Sequence, residues 1–380
     1  MSFDTLQNSR TIHKILTFVG LWIEGDIKRV PALVISLLIH VPLTFTYTLL
    51  MWMEVIASTD ITQATDVLYV ALTETALIVK ILSILRRRHL AKSMFRQLRY
   101  DDKFQLKNVQ EHMMWRRSFK TFGIVSSLYI TTSLSVVWIA FTVPLFLKEY
   151  TLPFPFWTPF DWRQPIYYWY AYIYEVLAMP LTCLSNCTLD MWQCYIMQHL
   201  AACLRLSAMR LQKLGHANEN DVEATETVIC IIQLQQEVKR MSLICERIVS
   251  SPIFAQILLS ALVLCFSLYR LQHFNILDDL GSCLGLILYA ICMTLQIYLP
   301  CHYAHQLTFE SSLLLDSIFS CNWTTMSPYN RRLILLYMNY LKRPIILRAG
   351  KVFNIGLPTF TKTINNAYSF FALLLNMDLM

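Results

Sequence analysis

An all-α membrane protein is what this sequence predicts: seven transmembrane helices, the N-terminus cytoplasmic, the C-terminus extracellular, and a helical anchor domain below the membrane. Three observations predict it. Of 380 residues, 56% are hydrophobic and only 15% charged, a balance far from that of a soluble domain. Seven apolar stretches are each long enough to cross ~30 Å of hydrocarbon as a helix. The basic residues alternate in density between the loops. Four alternate stretches hold 4 (Arg10, Lys14, Lys28, Arg29), 11 (Arg86 to Lys120), 6 (Arg205 to Arg247) and 6 (Arg331 to Lys351), against Lys148, Arg163 and Arg270 in the opposite loops. Basic loops stay in the cytoplasm, which sets the orientation.

Taken in chain order, residues 1–30 form a cytoplasmic segment in which Ile12, Ile15, Leu16 and Val19 recur at helical spacing, the pattern of a helix lying at the membrane interface. Residues 31–200 hold the first four spans: Pro31 to Met53, Thr62 to Leu85, Phe122 to Leu147, and Tyr167 to about Leu200. The fourth continues below the bilayer, because Leu200, Leu204, Leu211 and Leu214 keep an amphipathic pattern up to Gly215. Residues 201–251 are cytoplasmic and amphipathic, with Val228, Ile231, Ile232, Leu234 and Val238 ahead of Ser251-Pro252. Residues 252–299 carry spans five (Pro252 to Leu271) and six (Leu280 to Leu299). Residues 300–352 return to the cytoplasm with amphipathic stretches from Leu307 to Phe319 and from Leu333 to Tyr340. These helices can pack into a compact domain that holds subunits together. Residues 353–376 form span seven (Phe353 to Leu375), and residues 377–380 an extracellular tail.

Several function classes are excluded. An N-terminus inside with seven spans is the reverse of a G-protein-coupled receptor, and no Asp-Arg-Tyr follows span three and no Asn-Pro-x-x-Tyr lies in span seven. No nucleophile elbow, zinc-protease or phosphate-loop motif is present, so no enzyme is expected. The net charge of +7 is topogenic and implies no nucleic-acid partner; the Arg86-Arg87-Arg88 cluster suits anionic membrane lipids. No cofactor and no metal are expected: the 11 cysteines form no Cys-x-x-Cys pair, and His302, His305 and Glu310 at a membrane boundary read as interfacial hydrogen-bonders. Only 8 glycines and no internal repeat argue against a transporter with broken helices.

Charges within spans are informative because each is costly in lipid. Glu74 and Glu175 read as paired with a neighbour such as His40, or as polar contacts to a ligand. Lys80 reads as snorkelling to the cytoplasmic surface.

The stretch Pro155-Phe156-Trp157-Thr158-Pro159-Phe160-Asp161-Trp162 resembles the second extracellular loop of insect odorant receptors. Asp316 to Trp323, Arg343-Pro344-Ile345 with Ala349-Gly350-Lys351, and Phe360 with Asn366-Ala367-Tyr368-Ser369-Phe370-Phe371-Ala372-Leu373-Leu374 are similar to that family's C-terminal elements. Gustatory receptors share the topology, but their last helix typically reads Thr-Tyr, apolar residues, then Gln-Phe. The family's shared co-receptor has a longer loop between helices four and five than the residues 201–250 here. The resemblance therefore implies a ligand-tuning subunit at the plasma membrane of olfactory sensory neurons. Such a subunit joins the co-receptor in a heterotetrameric, odorant-gated, non-selective cation channel lined by helix seven. The alternatives are a gustatory-type channel subunit or a seven-helix receptor that does not conduct.

A volatile ligand of ~10 heavy atoms has few polar handles, so its affinity comes from apolar burial in an aromatic-lined site. At roughly 0.6 to 0.8 kcal/mol per atom, binding is about micromolar. The expected lining is Tyr69 and Thr73; Trp138, Phe141 and Thr142; Ile173, Leu177 and Leu181; Leu284 and Leu288, where the resemblance places odorants. In span seven, Lys362 lies inside an apolar stretch and is expected to face water, with Asn365 and Asn366 extending the polar path. The resemblance places the gate at Phe371, with Leu375 one turn on, as an apolar ring that stops permeating cations by dewetting.

Overall fold

The computed structural model describes residues 10–22, 29–58, 61–147, 151–215, 221–272 and 280–378. Lys28, Lys148 and the last two residues of the tail lie outside them. The described residues are almost wholly helical: α1 (Arg10–Phe18), α2 (Arg29–His40), α3 (Thr46–Ala57), α4 (Ile61–Tyr100), α5 (Val109–Leu147), α6 (Pro165–Gln212), α7 (Asp221–Gln272), α8 (Leu280–Phe319), α9 (Pro328–Leu341) and α10 (Leu357–Asp378). Five helices among them are long and apolar enough to cross a membrane, within α2–α3, α4, α5, α7 and α8. α6 and α10 are not among these five.

The amphipathic stretches below spans four, five and six are continuous with the spans. α6 passes through residue 200 without a break, α7 through Pro252 and α8 through Pro300. α4 pairs most extensively with α7 and α6 with α8, and α10 lies against α7 and α8. The bundle thus has a loop end, capped by residues 151–164, and a base, formed by the far ends of α4 to α8 together with α9.

Two spans differ from the sequence reading. Span one is not a single α-helix: residues Val41–Phe45 form a π-helical turn between α2 and α3. Pro42 there has no N–H to donate and its ring crowds the preceding turn. His40 anchors the turn, with Nε2 2.9 Å from the Val19 carbonyl and Nδ1 3.1 Å from Thr44. Span seven begins late. Phe353–Asn354 pairs antiparallel with Arg348–Ala349 in a short hairpin, whose turn holds Gly350 and Lys351 at positive φ, and the helix starts only at Leu357 with Pro358 in its first turn.

At the base, every residue of α6 from 185 to 204 is buried, which makes this helix a central post. α1 docks beside it through Ile12, His13 and Leu16; His13 stacks on Trp22 at 4.9 Å, and Trp22 meets Trp192 at 6.0 Å. Burial and the neighbouring Arg99 lower the His13 pKa to about 4. Arg210 staples the turn between α4 and α5: its guanidinium donates to Glu111 at 3.1 and 3.2 Å and to the Lys103 and Gln105 carbonyls at 3.2 and 2.8 Å. Burial alone raises the Glu111 carboxyl, but these bonds and the Lys107 and Asn108 backbone amides hold it below its ordinary value. Arg205 holds Glu310 at 2.6 Å.

Lys80 does not snorkel. It is buried, 2.6 Å from Asp190 Oδ1 and 2.7 Å from Asn186 Oδ1. Gln296 donates to Asp190 Oδ2 at 3.0 Å, and Gln256 to the Gln296 carbonyl at 2.5 Å. The sequence reading overlooked Asp190, whose charge compensates a lysine that cannot reach the surface past its neighbours. The network ties α4, α6, α7 and α8 together.

Candidate ligand pocket and pore helix

At the loop end a second apolar cluster gathers residues from α3 to α8, among them Tyr47, Met51, Tyr69, Phe141, Ala178, Met179 and Leu286. It is closed by the aromatic loop. Leu152 and Phe156 are buried, the Phe154 amide donates to Glu175 Oε1 at 2.6 Å, and the Trp157 amide donates to the Leu50 carbonyl at 3.2 Å. A loop so rich in aromatic residues buries itself as a plug because each ring removes a large apolar area from solvent.

Within the cluster, a chain of contacts runs inward from the rim. Arg270 Nε lies 2.8 Å from Asp66 Oδ1, and Arg270 Nη1 donates to the Tyr69 hydroxyl at 2.8 Å. The Tyr69 ring meets Tyr289 edge-on at 5.0 Å. The Tyr289 and Thr73 hydroxyls are 2.7 Å apart, and Thr73 Oγ1 lies 3.8 Å from Met293 Sδ. This arrangement offers aromatic faces, a polarisable thioether and oriented hydroxyls in a confined apolar setting, the furniture of a small-molecule site.

The structure divides the expected lining residues. Tyr69 and Phe141 are buried, and Thr73, Leu181 and Leu288 are half-buried. Trp138, Thr142, Ile173, Leu177 and Leu284 instead turn outward; Ile173 and Leu177 are 56% and 59% exposed. The cause is helical phase. On α6 the inward face carries Tyr168, Ala171, Tyr172, Glu175, Ala178, Met179 and Thr182, a step away from 173 and 177, and on α8 Cys283 and Leu286 are buried where Leu284 is not. Apolar residues on both faces of a span hide that phase from the sequence. Tyr47, Asp66, Arg270, Tyr289 and Met293 were missed. Arg270 had a signal, as one of three basic residues on the sparse side.

The carboxyls in the spans are paired otherwise than with His40. Glu175 takes the Phe154 amide, and the Thr182 hydroxyl lies beside Glu74. His40 is engaged by Val19 and Thr44.

α10 docks by one face, with Thr363 and Ala367 buried and Phe360 edge-on to Tyr298 at 5.4 Å. Lys362, Asn365, Asn366, Ser369 and Leu373 lie on its exposed side, while Phe371 and Leu375 are half-buried on the flank.

The family model described as "7tm Odorant receptor" matches residues 60–368. Odorant receptor 94a of Drosophila melanogaster is 40% identical, over 99% of this chain and 98% of its own. Odorant receptor 46a isoform B of the same species is 28% identical, over 83% and 84%. Among solved structures, the insect olfactory receptor OR5 from Machilis hrabei superposes with a TM-score of 0.86 at 18% identity, covering 97% of both chains. The same receptor in complex with eugenol gives 0.82, also at 18% identity, over 99% of this chain and 100% of that one.

Proposed function

The chain belongs to the odorant receptor family, a receptor and not an enzyme, and on that premise we propose that it is a ligand-tuning subunit of an odorant-gated cation channel. A small volatile odorant binds at the loop end of the bundle, in the cluster around Tyr69, Thr73, Phe141, Met179, Tyr289 and Met293. The observation that carries this is the convergence of aromatic rings and hydroxyls from α4 and α8 within the loop-end apolar cluster. The eugenol complex of the Machilis receptor, a protein of the same fold, supports small-molecule binding. Trp138, Thr142, Ile173, Leu177 and Leu284 face lipid or neighbouring helices, and Leu181 and Leu288 flank the site.

In this reading α6 and α10 join the five apolar helices to make seven spans. The basic residues at the base support a cytoplasmic N-terminus and an extracellular loop end. The base carries assembly with the co-receptor into a heterotetramer, because helices gain little from apolar association in lipid. Exposed Tyr329, Leu335 and Leu336 on α9 suit such a contact. The exposed side of α10 faces the ion path: Lys362 and Asn366 line its polar part, and Leu373, flanked by Phe371 and Leu375, its apolar end. The complex resides in the plasma membrane of olfactory sensory neurons.

Patch-clamp recording with and without the co-receptor tests this. Odorant-evoked cation current that persists with G-protein signalling blocked is expected. Ligand-evoked second messengers without current would sink it.

A further inference from the structure

Where α7 leaves the base and enters its apolar span, α4 and the short hairpin before α10 hold it from two sides. Pro252 has no N–H, so the Ile248 carbonyl loses its helical donor. Ser83 Oγ and Arg87 Nη1 donate to it instead, each at 3.4 Å. From the other side the Gly350 amide donates to Ser250 Oγ at 2.9 Å and to the Ser250 carbonyl at 3.3 Å. The hairpin turn is closely seated, since a Cβ on Gly350 would meet the Phe254 ring at 2.5 Å. Ile248 and Ser250 are about 3 Å apart along the helix axis and about 160° apart around it. Arg87 and the hairpin turn therefore stand at one level, with a face of α7 open between them.

That level is densely basic. Arg247 lies about 100° from Ile248 and about 60° from Ser250, in the open face, and is exposed. Arg86, Arg348 and Lys351 are exposed as well, and none of these four is in an ion pair among the described residues. Burial, then repulsion from Arg86, lowers the Arg87 pKa from its ordinary value. Residues 83–89, 246–252 and 345–354 contain a single carboxyl, Glu246. Lys351 follows Gly350 in the turn with φ of 63°, a position where glycine is strongly preferred, so a cation is carried there against the backbone preference. The open face turns apolar beyond Arg247: Leu258 and Leu262, about three and four turns on, are 48% and 36% exposed. The strip reaches roughly 16 Å to Leu258, about one leaflet of a ~30 Å core.

Resting on the proposed orientation, which sets this level at the inner leaflet, we infer that the furrow between α4, α7 and the hairpin binds an anionic phospholipid whose headgroup carries more than one phosphate. The phosphates face Arg86, Arg247, Arg348 and Lys351, with the Arg87 charge beside them, and an acyl chain lies along Leu258 and Leu262. Guanidinium groups match phosphate through paired N–H donors, and basic sites at the cytoplasmic ends of membrane helices recognise such headgroups. The lipid joins α4 and α7 to the hairpin that leads into α10.

The test titrates dioctanoyl phosphatidylinositol bisphosphate into the purified full-length chain, and into its complex with the co-receptor, in detergent micelles, and reads the melting temperature. A rise of about 3 °C or more is expected, with none from dioctanoyl phosphatidylcholine and with free inositol trisphosphate needing about tenfold higher concentration. Arg247→Gln and Lys351→Gly each weaken the lipid effect threefold or more without lowering the melting temperature in its absence, because Arg247 is exposed and glycine suits the φ of residue 351. Leu258→Ser weakens the lipid but not inositol trisphosphate. Equal stabilisation by phosphatidylcholine, or unchanged titrations in both charge variants, overturns the inference. Inositol trisphosphate acting as strongly as the lipid makes this a soluble-phosphate site and overturns it too. Binding to the chain that vanishes in the complex shows a partner subunit on this face, with the same result. Micelles have no sidedness and the readout needs no odorant, so lipid binding without odorant current sinks the channel reading and leaves the lipid site standing.

Discussion

Along its second half α6 is buried on every side, residues 185 to 204 without interruption, whereas its first half buries a single face and leaves Tyr170, Ile173 and Leu177 exposed. One helix therefore passes through two kinds of packing. At the base it is a post surrounded by α1, α4, α5, α7 and α8, with polar groups such as Asp190 locked in a four-helix network. At the loop end it is a wall, and the interior beside it is filled by hydroxylated aromatic residues such as Tyr47, Tyr69 and Tyr289. A close-packed interior resists deformation. On the proposed reading, this difference in packing leaves stability and assembly to the base and recognition to the loop end.

The largest effect that sharpens this contrast is expected at the ion pair. Asp190→Ala leaves Lys80 buried without its countercharge, which costs about 3–5 kcal/mol, so folded receptor and surface expression should collapse. Lys80→Met with Asp190→Leu should recover much of it. A single substitution at either position that leaves thermal stability unchanged breaks the assignment of the base.

Assembly comes next. Leu336→Glu, at a residue 66% exposed on α9, should abolish co-purification with the co-receptor while leaving the subunit folded by circular dichroism. An intact complex places the contact elsewhere.

A smaller effect is expected at the rim. Arg270→Met removes a charged donor from Tyr69, a bond worth about 1.5–3 kcal/mol when fully made and less at this partly exposed position. The ligand concentration for half-maximal current should shift by roughly tenfold or less, with surface expression unchanged.

A pH effect is expected at α1. His13 is held neutral, with a pKa lowered from 6.5 to about 4. Its contribution is complete above pH 6.5 and is lost as pH falls toward 4, where the unfolded chain takes up the proton first. Detergent-solubilised receptor should lose melting temperature over that window, and His13→Phe should lose less. An identical pH profile in the variant removes His13 from the account.

The architecture was legible where sequence carries direct energetic cost. Apolar length marked the membrane-crossing helices, amphipathic spacing marked the extensions of α6, α7 and α8, and the aromatic loop and C-terminal motifs marked the family. Facing was not legible within spans. Leu177 and Met179 are equally apolar, and only packing decides which turns inward. Charges showed the same limit: Glu74, Glu175 and Lys80 were conspicuous, but their partners come from helices up to 110 positions away in the chain, as Lys80 and Asp190 do. Tyr289 and Met293 had no sequence mark, since a pocket differs from a core only in what it leaves unfilled.

The central claim, that ligands are recognised on the inward face of the loop end, is tested most directly by paired substitutions on the co-expressed complex. Tyr289→Ala removes an inward ring and Ile173→Ala an outward side chain, and dose-response curves across a panel of odorants compare them at matched surface expression. The expected result is a shift of tenfold or more for Tyr289→Ala, uneven across ligands, with Ile173→Ala within threefold. Curves that move with Ile173→Ala and stay unchanged with Tyr289→Ala would contradict the account.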